Sequence, residues 1–129
     1  MKRFVLLTLL GAGLADAQYP RDNFSRGYLN CRWWVKQSDG MKLGYVMGFN
    51  EAAQLSGDVL EGAVIPEPTY GECIEGVTNL CAAPENAVIP VYRMLFTFTQ
   101  KFKGETEASI NATLEGDRKF FSRTARGAK

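Results

Sequence analysis

Histidine is absent from all 129 residues of the sequence. Its absence excludes Ser-His and Cys-His nucleophile pairs, imidazole metal sites and the side chain that most often serves as a general base. The sequence also has no closely spaced cysteine pair for zinc, no calcium-loop pattern and no glycine-rich phosphate loop. We therefore expect a protein that binds no cofactor and no metal, and that is not an enzyme.

Paired carboxylates are the catalytic arrangement that this composition leaves open, because two acids alone can hydrolyse a glycoside. The acidic side chains to consider for such a pair are Glu51, Glu67, Glu72, Glu75 and Glu85. Their spacing sets none of them apart, and Glu72 already fits a helix-capping role three residues after Thr69. A carboxylate-dependent hydrolase therefore stands as an alternative function.

A short apolar run, Phe4 to Leu10, follows Lys2 and Arg3 at the start of the chain. The small-residue box Ala15-Asp16-Ala17 comes after it, in the order typical of a secretory signal peptide. The run is far shorter than the roughly 20 residues of a membrane-spanning helix. We therefore predict a signal peptide over residues 1–17 that is cleaved after Ala17, a periplasmic or secreted location, and no membrane insertion of the mature chain.

An excess of charge of either sign is also missing. The formal net charge is +1 for the whole chain, and it falls to 0 when Lys2, Arg3 and Asp16 leave with the signal peptide. A neutral chain offers no electrostatic attraction to nucleic acid or to an anionic membrane. The remaining length of about 110 residues is near the common size of a single domain. We expect one domain over residues 18–129 and no nucleic-acid partner.

Three cysteines, Cys31, Cys73 and Cys81, remain in the mature chain. In an oxidising compartment this number predicts one disulfide and one remaining thiol. Cys73 and Cys81 fall about 12 Å apart along one predicted helix, which is beyond bridging distance. We therefore expect Cys31 to pair with one of the two, and the remaining thiol to fill the core.

Hydrophobic spacing predicts an all-α fold, a small bundle of about four to five helices. The predicted helices cover approximately residues 25–35, 39–55, 69–80, 90–103 and 107–121. Their start and stop signals are Ser38, Thr69 with Glu72, Pro90, Gly104 and Thr106. A loose polar leader is expected over 18–23, a loop over 56–68 and a frayed basic tail over 122–129.

Small residues recur at four-residue spacing in the second predicted helix, at Gly44, Gly48 and Ala52. Glycine in a helix costs about 0.5–1 kcal/mol relative to alanine, and a row of small residues lets another backbone approach closely. We expect an internal contact between helices at this row, with a seam between two copies of the chain as the alternative. Asn50 and Glu51 exclude the membrane form of this motif.

Trp33 and Trp34 are adjacent, so their side chains point about 100° apart if the segment is helical. We expect one of them in the core and the other either at a contact surface or over the predicted loop. Tryptophan is frequent among the energetically dominant residues of interfaces. Phe96 falls off the apolar stripe of its helix and is expected at the surface. Trp33, Trp34 and Phe96 are therefore the candidate protein-contact residues.

Three stretches of the chain, taken in order, resemble a known family. They are Tyr28-Leu29-Asn30-Cys31, the stretch Gly44 to Ala52 with the pattern G-Y-x-x-G-x-x-[DE]-A, and Thr69 to Glu85 followed by Val91 to Leu95. Together they are similar to the Tai-type (Rap/Tai-like) immunity proteins, small helical periplasmic proteins that neutralise cell-wall amidase toxins delivered by type VI secretion, and to related small exported bacterial proteins. The resemblance implies an exported inhibitor, a wall amidase toxin as its partner, and a capacity to form homodimers.

The favoured function is thus an exported helical binding protein, of the immunity type, that blocks an enzyme by occlusion rather than by chemistry. One alternative is a structural protein of the envelope without a toxin partner, and the other is the carboxylate-dependent hydrolase. An acidic pair that converges in a concave pocket would favour the hydrolase. A protruding patch at Trp33 or Trp34 would favour the binding protein.

Overall fold

A computed structural model describes residues 21–56 and 69–124 of the chain. This part is mostly α-helical, as the sequence predicts, with a small two-stranded hairpin in addition. The predicted signal peptide, the first residues of the leader, nearly all of the predicted 56–68 loop and the end of the basic tail lie outside the described residues. Among the helices that are described, none has the length and apolarity to cross a membrane.

The described helices are α1 (Cys31–Trp34), α2 (Asp39–Ser56), α3 (Tyr70–Ala82), α4 (Val91–Phe102) and α5 (Glu107–Thr124). The antiparallel hairpin pairs β1 (Phe24–Ser25) with β2 (Tyr28–Leu29). Short 3₁₀ turns cover Arg21–Asn23 and Pro84–Asn86. The four predicted helices from residue 39 onward are therefore confirmed, with ends that differ by a few residues at most.

The predicted helix over 25–35 is wrong in its first half. Arg26 and Gly27 adopt left-handed backbone angles, with φ of 51° and 84°, and turn the chain from β1 into β2. Glycine reaches this region without a steric penalty, so Gly27 favours the turn over a continued helix. Helix α1 begins only after Asn30, whose side chain accepts a hydrogen bond from the Trp33 N–H at 3.3 Å.

Side-chain caps start α2, α3 and α5 at the residues that the sequence predicts, whereas α4 follows Pro90 without a side-chain cap. Ser38 and Thr106 each accept a hydrogen bond from the N–H three residues later, at 3.3 and 3.2 Å. Thr69 and Glu72 form a reciprocal capping box at α3, in which the Thr69 N–H donates to a Glu72 carboxylate oxygen at 2.8 Å. These bonds satisfy backbone N–H groups that have no partner within the helix itself.

Helix α3 packs against α1, α2 and α4, and α5 packs against α4. The buried apolar side chains between them include Trp34, Val46, Val77, Ile89, Met94 and Leu95. A disulfide between Cys31 and Cys81 joins α1 to the end of α3, with their Cα atoms 5.0 Å apart. The structure thus selects one of the two pairings that the sequence left open.

Candidate functional site

Trp33 and Trp34 do not form a protruding patch. Trp34 is 0% exposed, and its indole N–H donates a hydrogen bond to the Thr78 hydroxyl at 3.0 Å. Trp33 is half-buried, and its ring packs against the Tyr45 ring with centroids 5.6 Å apart. One tryptophan of the pair is therefore in the core, as expected. The prediction that Trp34 is a protein-contact residue is wrong, because a side chain that is 0% exposed cannot contact a partner protein.

Phe96 is half-buried rather than fully exposed. The guanidinium carbon of Arg93 lies 5.4 Å from the centroid of its ring, within the range of a cation–π contact. Arg93 is itself held by an ion pair, because its Nε lies 3.1 Å from a carboxylate oxygen of Asp117 on α5. Phe96 thus belongs to the junction of α4 and α5.

Gly44, Gly48 and Ala52 are all exposed on α2, and a Cβ added at either glycine would meet no atom of the described residues within 4 Å. The expected internal contact at this row is therefore wrong. The buried stripe of α2 consists instead of Lys42, Val46, Asn50 and Ala53. The polar side chains of Lys42 and Asn50 thus point into the core. The sequence analysis assumed the usual amphipathic pattern, in which the apolar face of a helix is buried and the polar face is exposed.

Specific contacts explain the polar members of this buried stripe. The Lys42 ammonium lies 5.5 Å from the ring centroid of Trp34, so its stem covers the core while its charge faces an aromatic ring. The Asn50 amide donates a hydrogen bond to the Tyr70 hydroxyl of α3 at 3.0 Å. Both residues are thereby oriented inward, and the glycine row is left on the opposite side of the helix.

The opposite side of α2 forms an exposed apolar surface, called here the outer face. It consists of Met41, Gly44, Met47, Gly48, Glu51, Ala52 and Leu55. Met41 is 53%, Met47 39% and Leu55 89% exposed. Glu51 carries the one charge in this set. An exposed apolar stripe of this kind is a candidate interaction site.

A second exposed surface surrounds the hairpin. The guanidinium carbon of Arg26 lies 3.9 Å from the ring centroid of Phe120, and the rings of Tyr28 and Tyr92 pack with centroids 4.9 Å apart. Tyr28 and Phe120 are both exposed. Sequence reasoning missed this surface, because it assigned Arg26 and Tyr28 to a helix and predicted no contact between that segment and α5.

A cavity of about 480 Å³ lies where α3, α4 and α5 meet, and we call it the α4–α5 cleft. Its apolar wall consists of Leu80, Phe98, Ile110 and Leu114, and Asn79, Thr97 and Asn111 are among its polar residues. Lys101, Glu105 and Glu107 contribute charged side chains, all of them on exposed residues. A smaller cavity of about 210 Å³ shares Thr97, Glu105 and Ile110 with it and includes Phe96.

Of the carboxylates considered for catalysis, Glu51, Glu72, Glu75 and Glu85 are exposed, and none of them lines either cavity. Glu67 lies outside the described residues. The carboxylates that do line the larger cavity are Glu105 and Glu107, which were not among the acidic residues considered from the sequence. Both are solvated, so the cleft does not present the buried acid that glycoside hydrolysis requires.

The thiol that remains outside the disulfide is Cys73, which is buried in the core between α3 and its neighbours. Burial, with a smaller effect of the Glu72 carboxylate, raises the pKa of this thiol to about 11. The thiolate is the nucleophilic form of cysteine, so Cys73 is unreactive near neutral pH. The expectation that the remaining thiol fills the core is confirmed.

Within residues 21–56 and 69–124, no group of three or more Cys, Asp or Glu side chains is arranged to hold a metal ion. No protein-family model, no curated protein and no solved structure matches this chain. The features that bear on function are therefore the outer face, the cleft and the resemblance described above. The G-Y-x-x-G-x-x-[DE]-A stretch that carries much of that resemblance includes five of the seven residues of the outer face.

Proposed function

We propose that this chain is an exported binding protein that occludes a partner protein with the outer face of α2, and that the partner is a cell-wall hydrolase toxin of the amidase kind. The exposure of Met41, Met47 and Leu55 on one side of a long helix is the observation that carries the proposal. The resemblance to periplasmic immunity proteins supplies the class of partner.

The outer face has the composition of a helix that inserts into an apolar groove. Such helices present anchors at spacings of three, four and seven residues, and Gly44, Met47, Gly48 and Leu55 follow that spacing. Methionine side chains adapt to irregular partner surfaces. The two glycines add no side-chain bulk, so a partner backbone can approach the helix closely. Glu51 favours a partner whose groove has a basic residue at its edge.

Export supports this function, because a wall hydrolase acts outside the cytoplasm. The Ala15-Asp16-Ala17 box predicts the release of a mature chain that begins at Gln18. The Cys31–Cys81 disulfide is compatible with an oxidising compartment. N-terminal sequencing of the protein from a periplasmic fraction tests this part, and a chain that retains Lys2 and Arg3 would contradict it.

Inhibition assays with the mature protein, residues 18–129, test the proposed partner. We expect the protein to bind and inhibit a wall amidase, measured by calorimetry and by peptidoglycan hydrolysis. Met47→Lys and Gly48→Phe should each weaken binding at least tenfold, since they place a charge or bulk on the outer face. Val35→Lys is the matched control, because Val35 is an exposed apolar residue outside this face, and it should leave binding unchanged.

Three results would contradict the proposal, and each points to a different alternative. In the first, the parent protein binds no amidase and forms dimers in ultracentrifugation, and Met47→Lys abolishes these dimers. The outer face would then bind a second copy of the chain. If the protein is a monomer and binds no hydrolase, the remaining alternative is a structural protein of the envelope. Hydrolysis of peptidoglycan by the mature protein alone would favour the carboxylate-dependent enzyme.

A further inference from the structure

We propose that the α4–α5 cleft binds a neutral saccharide of one or two rings. The cleft belongs to helices other than α2 and shares no residue with the outer face, so this inference does not depend on the proposed partner. It depends on the size of the cavity, on one buried hydroxyl without a partner and on the chemistry of the residues around it.

The volume of about 480 Å³ falls within the range of sites for small molecules, roughly 300–1,000 Å³. Such sites combine an apolar wall with a few polar groups that fix the orientation of the ligand. In this cleft Phe98, Ile110 and Leu114 provide the wall. The ring of Phe98 packs closely against Gly76 of α3, so a Cβ at position 76 would have no room.

Thr97 is the fully buried polar residue of the cleft. The residue is 2% exposed, and its hydroxyl oxygen has no hydrogen-bond partner among the described residues. Thr97 lines both cavities between α4 and α5. Buried polar groups in proteins are almost always paired, since an unpaired one destabilises the fold. A ligand hydroxyl that reaches into the cleft beside Thr97 would supply the partner that the described residues do not.

The polar residues of the cleft match a saccharide better than an ion or a purely apolar molecule. The amides of Asn79 and Asn111 both donate and accept hydrogen bonds, as sugar hydroxyls do. The carboxylates of Glu105 and Glu107 repel an anionic ligand, whereas the ammonium of Lys101 repels a cationic one. The apolar C–H face of a sugar ring fits against the wall at Phe98. A neutral, polyhydroxylated ligand avoids repulsion by either kind of charge and can hydrogen-bond with both amides.

Two pairs of variants separate binding in the cleft from effects on folding. Thr97→Val removes the unpaired hydroxyl, and Thr99→Val is its control, because Thr99 is equally buried on α4 but its hydroxyl donates to the Phe96 carbonyl at 2.8 Å. Asn111→Trp places a large ring at a residue that lines the cleft. Ala112→Trp is its control, since Ala112 is exposed on α5 and lines neither cavity.

The probes are maltose and N,N′-diacetylchitobiose, titrated into the mature protein and followed by NMR chemical shifts. We expect at least one disaccharide to shift signals of Thr97 and Asn111. Thr97→Val should weaken binding about tenfold, the value of one hydrogen bond to a buried group, while the Tm of the free protein rises. Thr99→Val should keep the affinity and lower the Tm. Asn111→Trp should abolish binding, and Ala112→Trp should not.

The proposal is overturned if neither disaccharide shifts the cleft signals, or if Thr97→Val binds as tightly as the parent protein. Binding of an apolar dye alone, with no effect of either sugar, would also overturn it, since the cleft would then be a hydrophobic pocket only. Failure to inhibit a wall amidase has no bearing on these outcomes, because that test concerns residues of α2.

Discussion

Gly76 occupies the point of closest approach between α3 and α4. A Cβ built on this residue would overlap the ring of Phe98, so the packing of the two helices requires glycine there. Gly48 on α2 presents the opposite situation, because within the described part of the chain no atom lies within 4 Å of a Cβ added there. The two helical glycines thus differ in what surrounds them rather than in their local sequence.

We predict opposite effects of alanine at these two positions. Gly76→Ala should lower the free energy of unfolding by about 1–3 kcal/mol, since it overpacks the interface with Phe98. Gly48→Ala should raise it by about 0.5–1 kcal/mol, because it restricts the unfolded chain without a clash in the folded one. Urea denaturation of the mature protein measures both. Equal effects of the two substitutions would contradict the packing described for Gly76.

The stability of the short helix α1 depends mainly on the contacts of Asn30. Asn30 is buried, accepts the cap hydrogen bond from Trp33, and donates from its amide to the Asp22 carbonyl at 2.9 Å and to the Ser25 hydroxyl at 3.1 Å. Its backbone also forms an isolated bridge with Pro90. One side chain therefore joins the hairpin to α1 and fixes both against the start of α4.

We predict that Asn30→Ala lowers the free energy of unfolding by about 2 kcal/mol. The substitution removes a helix cap and leaves buried polar groups without partners, and each effect has a magnitude near 1 kcal/mol or more. Thermal unfolding followed by circular dichroism measures the loss. Asn79→Ala is the control, because Asn79 is exposed on α3, and it should change stability by less than about 0.5 kcal/mol. Similar losses in the two variants would contradict the role given to Asn30.

At the scale of the whole molecule, the Cys31–Cys81 disulfide connects residues that are 50 positions apart. The enclosed chain includes α2 and most of α3, so the bond restricts a large part of the unfolded ensemble. The same bond fixes α1, with Trp34, against the helix that contacts most of the other elements.

We predict that reduction of this disulfide lowers the free energy of unfolding by about 2–4 kcal/mol. The measurement is best made in a Cys73→Ala background, where no third thiol is available for disulfide exchange. Guanidinium denaturation with and without a reducing agent then isolates the contribution of one bond. Unchanged stability after reduction, with free thiols confirmed by mass, would contradict the prediction.

The sequence alone identified four of the five helices because their signals are local. Caps at Ser38, Thr69 and Thr106 act within three residues, and the apolar spacing of α4 follows from the 3.6-residue period. The hairpin was missed for a related reason. The left-handed pair Arg26 and Gly27 turns the chain although the apolar spacing also fits a helix, and the spacing does not indicate this turn.

Only the tertiary structure decided which side of α2 is buried, which cysteines pair, and where the cleft lies. Lys42 faces inward because Trp34 lies beneath it, and Asn50 faces inward because Tyr70 accepts its hydrogen bond. These partners are distant in the sequence, so neither helix periodicity nor composition identifies them. Local propensity therefore determined the helices of this protein, whereas contacts between helices determined the outer face of α2 and the α4–α5 cleft.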